Sequence, residues 1–311
     1  MLADEQGLQQ NCEASVSTLQ HAETTMTDSD RERLIDSYAP AEMARRVLHT
    51  GVAKGRLSLS ETVALAVLAG AFIAVGAAFA TLAMSETGLG YGPTRVLGGV
   101  TFSLGLILVV VAGAELFTGN NLVAMAWASR AISTQLLIRN WLLVYIGNLI
   151  GALATALLMF WSGVWTSSSY ASGLTAVRIA VGKTQLGFGE LFARGVLCNA
   201  LVCLAVWLCQ SGRSTTDKVL AIIFPITAFV ALGFEHSIAN MYFIPFGMLL
   251  GSDSDMALAA VAQGVSVESL TLSAFVGNLI PVTLGNIAGG TLLVAGIYWF
   301  IYLRESNTSV D

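Results

Sequence analysis

The sequence predicts an all-α membrane protein of six transmembrane helices, built as an inverted three-helix repeat with two broken helices. Three observations lead there. The composition is strongly apolar, six long apolar stretches are separated by short charged breaks, and residue patterns in the first half recur in the second at fixed offsets.

Of the 311 residues, 55% are hydrophobic and only 11% charged, and the mean hydropathy is +0.72. Those values lie outside the range of ordinary soluble domains. A lipid bilayer is the expected surroundings, and nothing in the charge pattern calls for a nucleic-acid partner. Residues 1–38 read as a disordered cytoplasmic tail: the first thirty hold no Lys or Arg and no long apolar run, which excludes a signal peptide. Residues 39–60 follow as an interfacial amphipathic helix, with Ala, Met, Val and Leu set between basic residues at helical spacing. A short soluble helix capping the mouth of the membrane domain fits the same pattern.

Residues 61–305 form the transmembrane domain, and 306–311 a cytoplasmic C-terminal tail. A spanning helix needs roughly 20 mainly apolar residues. Such stretches lie near 61–84, 96–129, 140–163, 195–212, 219–252 and 274–303. On alternate sides, Arg31, Arg33, Arg45, Arg46, Lys54, Arg56, Arg130, Arg139, Arg213, Lys218 and Arg304 face Arg95, Arg178, Lys183 and Arg194. The positive-inside rule then places both termini in the cytoplasm of a cell (inner) membrane protein. Cys198, Cys203 and Cys209 fall in one span and Cys12 in the tail, with no metal-ligand spacing and no nearby histidines. They read as buried thiols, and neither a metal nor a cofactor is expected.

Two stretches are too long for straight helices. Segments 96–129 and 219–252 would each extend about 51 Å at 1.5 Å per residue, against a hydrocarbon core of about 30 Å. Each also carries charge near its middle, Glu115 in the first and Glu235 beside His236 in the second, so each should break. Around the charge both follow Gly-x-Glu-x-x-x-x-Asn, from Gly113 to Asn120 and from Gly233 to Asn240, at an offset of 120. The third and sixth stretches repeat at an offset of 138, with Asn140, Gly147, Asn148 and Trp161 matching Asn278, Gly285, Asn286 and Trp299. Three spans per unit is odd, so the two units enter the membrane from opposite sides. Inverted repeats with helices broken near the midplane are a transport architecture. Asn120 and Asn240 are candidate caps for the half-helices that restart after each break, whose N-termini favour an anion. Gly70, Gly76, Gly98, Gly99, Gly105, Gly151, Gly289 and Gly290 read as packing surfaces.

These segments resemble the formate/nitrite transporter family over about residues 40–305. The resemblance rests on AELFTGNN at 114–121, RNWLLVYIGNLIGA at 139–152, SGRSTTDK at 211–218, GFEHSIANMYFIPFG at 233–247 and NLIPVTLGNIAGG at 278–290. The acidic position before the first broken loop, often Asp in the family, is Glu115 here. The resemblance implies an aquaporin-like fold, a homopentamer with one pore per protomer, and passage of formate, nitrite or hydrosulfide. It also implies a pore lined by His236, with Thr118 facing it from the broken loop Leu116, Phe117 and Thr118. Phe102 and Phe229 would form an outer constriction, Leu106 and Leu116 a cytoplasmic one, and Lys183, Glu235, Asn199 and Asn240 a polar cluster on the outer approach.

An ionisable residue inside a membrane span is a functional candidate, and His236 sits at the predicted break. Glu235 divides between orienting the site and accepting N–H groups of the half-helix that follows. Lys183 divides between a solvated loop residue and a cation that concentrates anions at the pore mouth. The expected mechanism is that an anion, costly to place in an apolar pore, shares or takes a proton at His236 and crosses as the neutral acid. An intramembrane enzyme using Glu235 and His236 would need further catalytic groups, and His21 and His49 lie far away in the N-terminal region. A neutral-solute channel of aquaporin type shares the architecture, and gating by a helix-to-coil change near 39–57 is compatible with transport.

Overall fold

The computed structural model describes residues 36–304. The tail through residue 35, with Cys12 and His21, and the C-terminal tail from 305 lie outside the described residues. Among the described residues all regular structure is helical. Helix α1 spans Pro40–Gly55, α2 Leu59–Ala83, α3 Tyr91–Ala112, and a 3-10 turn at Gly119–Val123 leads into the short α4, Ala124–Ala128. Helix α5 is Thr134–Trp161, α6 Ser167–Thr184, α7 Phe188–Cys209, α8 Thr215–Ala231, α9 Ser237–Ser252 and α10 Ser254–Ala262. Helix α11, Leu272–Ala288, passes through a π turn at Gly289–Gly296 into α12, Ile297–Tyr302.

Five helices among the described residues are long and apolar enough to cross a membrane: Leu59–Ala83, Tyr91–Ala112, Thr134–Trp161, Phe188–Cys209 and Leu272–Tyr302. The stretch expected as the fifth span is divided into α8 and α9, of 17 and 16 residues, each shorter than a full crossing requires. Local sequence fixes the helix starts. Ser58 accepts from the Glu61 N–H while Glu61 reaches back to the Ser58 N–H, and Ser214 with Asp217 repeats this capping box at α8. Helices α3 and α8 stop at Gly113 and Gly233, whose φ values of 82° and 75° are left-handed, a conformation glycine adopts without a Cβ penalty.

Helix α2 packs on α3 and α5, and α7 packs correspondingly on α8 and α11, while α8 crosses onto α3 and α9 lies against α5 and α6. Two contacts explain the glycines. A Cβ on Gly151 would lie 2.0 Å from the Val67 carbonyl oxygen, and one on Gly289 would lie 2.1 Å from that of Val196. Backbones at this distance exclude every other residue, which is how small residues set helix spacing in a bilayer. Cys198, Cys203 and Cys209 are free and buried.

Candidate permeation site

The two breaks meet in the buried centre of the bundle, and amide side chains hold them. Asn286, fully buried, donates to the carbonyls of Gly195 (2.8 Å) and Glu235 (2.9 Å) and accepts from the Ser237 N–H (2.9 Å). Asn148 does the same at the other break. It donates to Ala66 (2.7 Å) and Glu115 (2.9 Å) and accepts from the Phe117 N–H (2.9 Å). Each therefore satisfies a carbonyl and an N–H of its break, Glu115 and Phe117 or Glu235 and Ser237, and ties them to a carbonyl of the unbroken helix alongside.

His236 occupies the N-cap position of α9. Its Nδ1 accepts from the Ala239 N–H at 3.0 Å, and its Nε2 lies 2.9 Å from the Thr118 hydroxyl. Because Nδ1 accepts a backbone N–H, the proton of the neutral ring belongs on Nε2, on the side of Thr118. This corrects the capping expectation. The cap of α9 is His236, whereas Asn120 and Asn240 turn their amides to Glu115 (2.6 Å) and Glu235 (2.7 Å) and to the oxygens of Asn140 (3.0 Å) and Asn278 (2.8 Å). Glu235 likewise does not take up N–H groups of α9. Its carboxylate accepts from Lys183 through both oxygens, at 3.0 Å each, and from Asn240.

The aromatic residues form a stack above the histidine. Phe102 and Phe229 meet edge to face with centroids 5.5 Å apart, and Phe229 lies over the His236 ring at 5.9 Å. Phe102, Phe229, His236, Glu235 and Lys183 share the wall of one cavity of about 450 Å³. Leu106 and Leu116 are buried in the same apolar core. Two expected residues stand elsewhere. Phe117 packs edge to face on Tyr145 and Trp141, in the groove between α5 and α11. Asn199 donates to Thr118, Asn121 and Asn286, behind the breaks and apart from the Lys183 cluster.

A profile of the family described as formate/nitrite transporter matches residues 41–300. The chain belongs to the formate/nitrite transporter family. It is 44% identical to the formate channel FocA of Escherichia coli (strain K12) over 276 residues, which are 88% of this chain and 97% of FocA. It is 32% identical to the formate channel BtFdhC of Bacillus thuringiensis over 272 residues, 87% of this chain and 98% of that one. Among solved structures it is similar to a pentameric formate channel with formate bound, at a TM-score of 0.73 and 41% identity, covering 79% of this chain and 98% of the other. An FNT family ion channel matches at a TM-score of 0.72 and 28% identity, over 83% and 98% of the two chains. Family membership makes this an integral membrane transporter and not an enzyme.

In this formate/nitrite transporter family member, two polar features escaped the sequence reading. Lys54, whose sequence setting reads only as a cytoplasmic charge of α1, donates to Glu115 at 2.6 Å and to Asn120 at 3.0 Å, as Lys183 donates to Glu235 beside Asn240. An offset of 129 takes Lys54 to Lys183 in the sequence. Arg95, Arg178 and Arg194 also line the 450 Å³ cavity. Their presence on the side with few basic residues was the clue.

Proposed function

We propose that the protein carries formate, or a monovalent anion of similar size, across the cell membrane through a pore in each protomer of a homopentamer, with His236 sharing a proton with the permeating anion. The observation that carries this reading is the fixed ring of His236. With Nδ1 occupied by the Ala239 N–H, Nε2–H is the group available to whatever displaces the Thr118 hydroxyl. A small carboxylate is such an acceptor: when the ring takes up a proton at Nδ1, giving up the Ala239 N–H, the Nε2 proton passes to the carboxylate, the ring returns to neutral, and the anion enters the apolar path as the neutral acid.

The chain's own groups supply the other steps. Lys183 and the N–H groups beginning α9 favour an anion at the cavity. Phe102 and Phe229 on the outer side, and Leu106 and Leu116 on the cytoplasmic side, exclude water from the path. Thr118 positions the proton. Each transfer uses a proton that His236 has taken up from solution, so protons are co-substrates and the rate depends on pH.

The architecture of this reading is the six-span, aquaporin-like inverted repeat, with both termini cytoplasmic. The parallel hydrogen bonds of Asn148 and Asn286, and of Glu115 and Glu235, support it. The Tyr145 hydroxyl also meets the Thr283 hydroxyl at 2.9 Å, two positions separated by the repeat offset of 138. The relatives named as formate channels support formate, and the pentameric neighbour supports the assembly.

Uptake of labelled formate into proteoliposomes, with unlabelled nitrite or hydrosulfide as competitor, tests the proposal and ranks the anions. Swelling driven by a neutral solute, with no formate uptake, would refute it in favour of a neutral-solute channel.

A further inference from the structure

The four basic residues on the side with fewer positive charges, Arg95, Arg178, Lys183 and Arg194, all line the cavity that Phe102 and Phe229 border. Among the lining residues the carboxylate that opposes them is Glu235, which is held by Lys183. The guanidinium groups make weaker demands on their partners. Arg95 donates to the carbonyls of Ala231 and Val230 and Arg178 to the Gln263 amide oxygen at 3.4 Å, all neutral acceptors. Arg194 lies 3.6 Å from Glu190 in an exposed pair, which water screens. The wall therefore carries a clear excess of positive charge.

At about 450 Å³, the cavity falls within the size range of sites for whole organic ligands and is far larger than formate requires. The cavity beside Lys54 at the other break is only about 30 Å³, so the two faces differ. A dianion is drawn to the positive wall twice as strongly as a monoanion. It cannot leave by the pore, however, because one proton shared at His236 still leaves a full charge to enter the aromatic constriction.

We infer that this vestibule is a holding site for small dianions, short dicarboxylates above all, which occupy it and block the flow of monovalent anions. The inference rests on the reading of the His236 path as an anion pore. Bound dianion is held by the excess positive charge of the wall, to which Arg178 and Arg194 contribute, and its hold weakens with ionic strength.

The test is labelled formate uptake into proteoliposomes sorted by access to an N-terminal tag, with malonate as the probe and monomethyl malonate as the singly charged control. Malonate on the vestibule face should slow uptake at concentrations where the monoester has little effect, and malonate on the opposite face should not. Because attraction scales with ligand charge, Arg178→Gln should raise the half-blocking malonate concentration by the square of its effect on half-saturating formate, about tenfold against about threefold. Arg194→Gln provides an independent second case. Equal potency of malonate and its monoester, transport of labelled malonate itself, or equal shifts for malonate and formate in both variants would overturn the inference. Absence of formate uptake by the unmodified protein would instead sink the pore reading on which it rests.

Discussion

Replacing Asn286 with Leu removes three hydrogen bonds beside His236 while keeping the same number of side-chain heavy atoms in the same branched arrangement. The perturbed groups are the Gly195 and Glu235 carbonyls and the Ser237 N–H. Side-chain hydrogen bonds within a bilayer average about 0.6 kcal/mol, so three set a floor of about 2 kcal/mol. The Gly195 carbonyl lies inside the continuous helix α7, whereas the Glu235 carbonyl and the Ser237 N–H are left buried without a partner at about 1–3 kcal/mol each, which with the lost Gly195 bond sets a ceiling of about 7 kcal/mol. The break offers no helical partner in exchange, so the loss should fall above the floor. Reversible unfolding of the purified protein in mixed micelles measures it, with formate uptake as the parallel readout. Asn148→Leu should cost a similar amount, and the double variant should be additive because the two amides share no partner. A loss under about 0.5 kcal/mol for Asn286→Leu would refute the claim that this amide holds the break.

Gly289→Ala should yield little folded protein, since its Cβ would stand 2.1 Å from the Val196 oxygen. Expression monitored by size-exclusion chromatography checks this, and Gly151→Ala should match it. Lys54→Met should destabilise by about 2–3 kcal/mol, less than the 3–5 kcal/mol of a fully buried pair because the Lys54 side chain keeps 26% of its exposure. Adding Glu115→Gln should restore most of that loss in the same unfolding assay. Thr118→Val should reduce formate flux, whereas Thr118→Ser, which keeps the hydroxyl opposite Nε2, should retain most of it in stopped-flow uptake.

Much of the fold was legible because the bilayer imposes lengths on the sequence. The breaks at Gly113 and Gly233 followed from stretches too long to be straight, and both glycines are left-handed. The pairing of Asn148 with Asn286 was visible as an offset, but their role was not. Which carbonyls such an amide can reach depends on the neighbouring helix that passes the break, and those of Ala66 and Gly195 come from α2 and α7. The same limit explains the caps. Asn120 and Asn240 have the right residue type and spacing, yet Glu115 and Glu235 lie within reach and a charged acceptor is the stronger partner. Lys54 was hidden for a related reason. Its basic neighbours in α1 suit a membrane surface, and its pairing with Glu115 exists only once α1 folds against the first break. Phe117 belonged to the same short loop as Thr118, but adjacent residues there point apart, one toward Tyr145 and the other toward His236.

The most direct test of the proton role of His236 is the pH dependence of labelled formate uptake in reconstituted protein. Two replacements should be compared with the unmodified chain, His236→Phe and His236→Asn. The second keeps a side-chain oxygen able to cap α9 while removing the titratable ring. Uptake by the unmodified protein should rise as pH falls. Both variants should lose that slope, with His236→Asn remaining folded by its melting curve. A folded His236→Asn protein whose uptake keeps the unmodified pH slope would contradict a proton shared at His236.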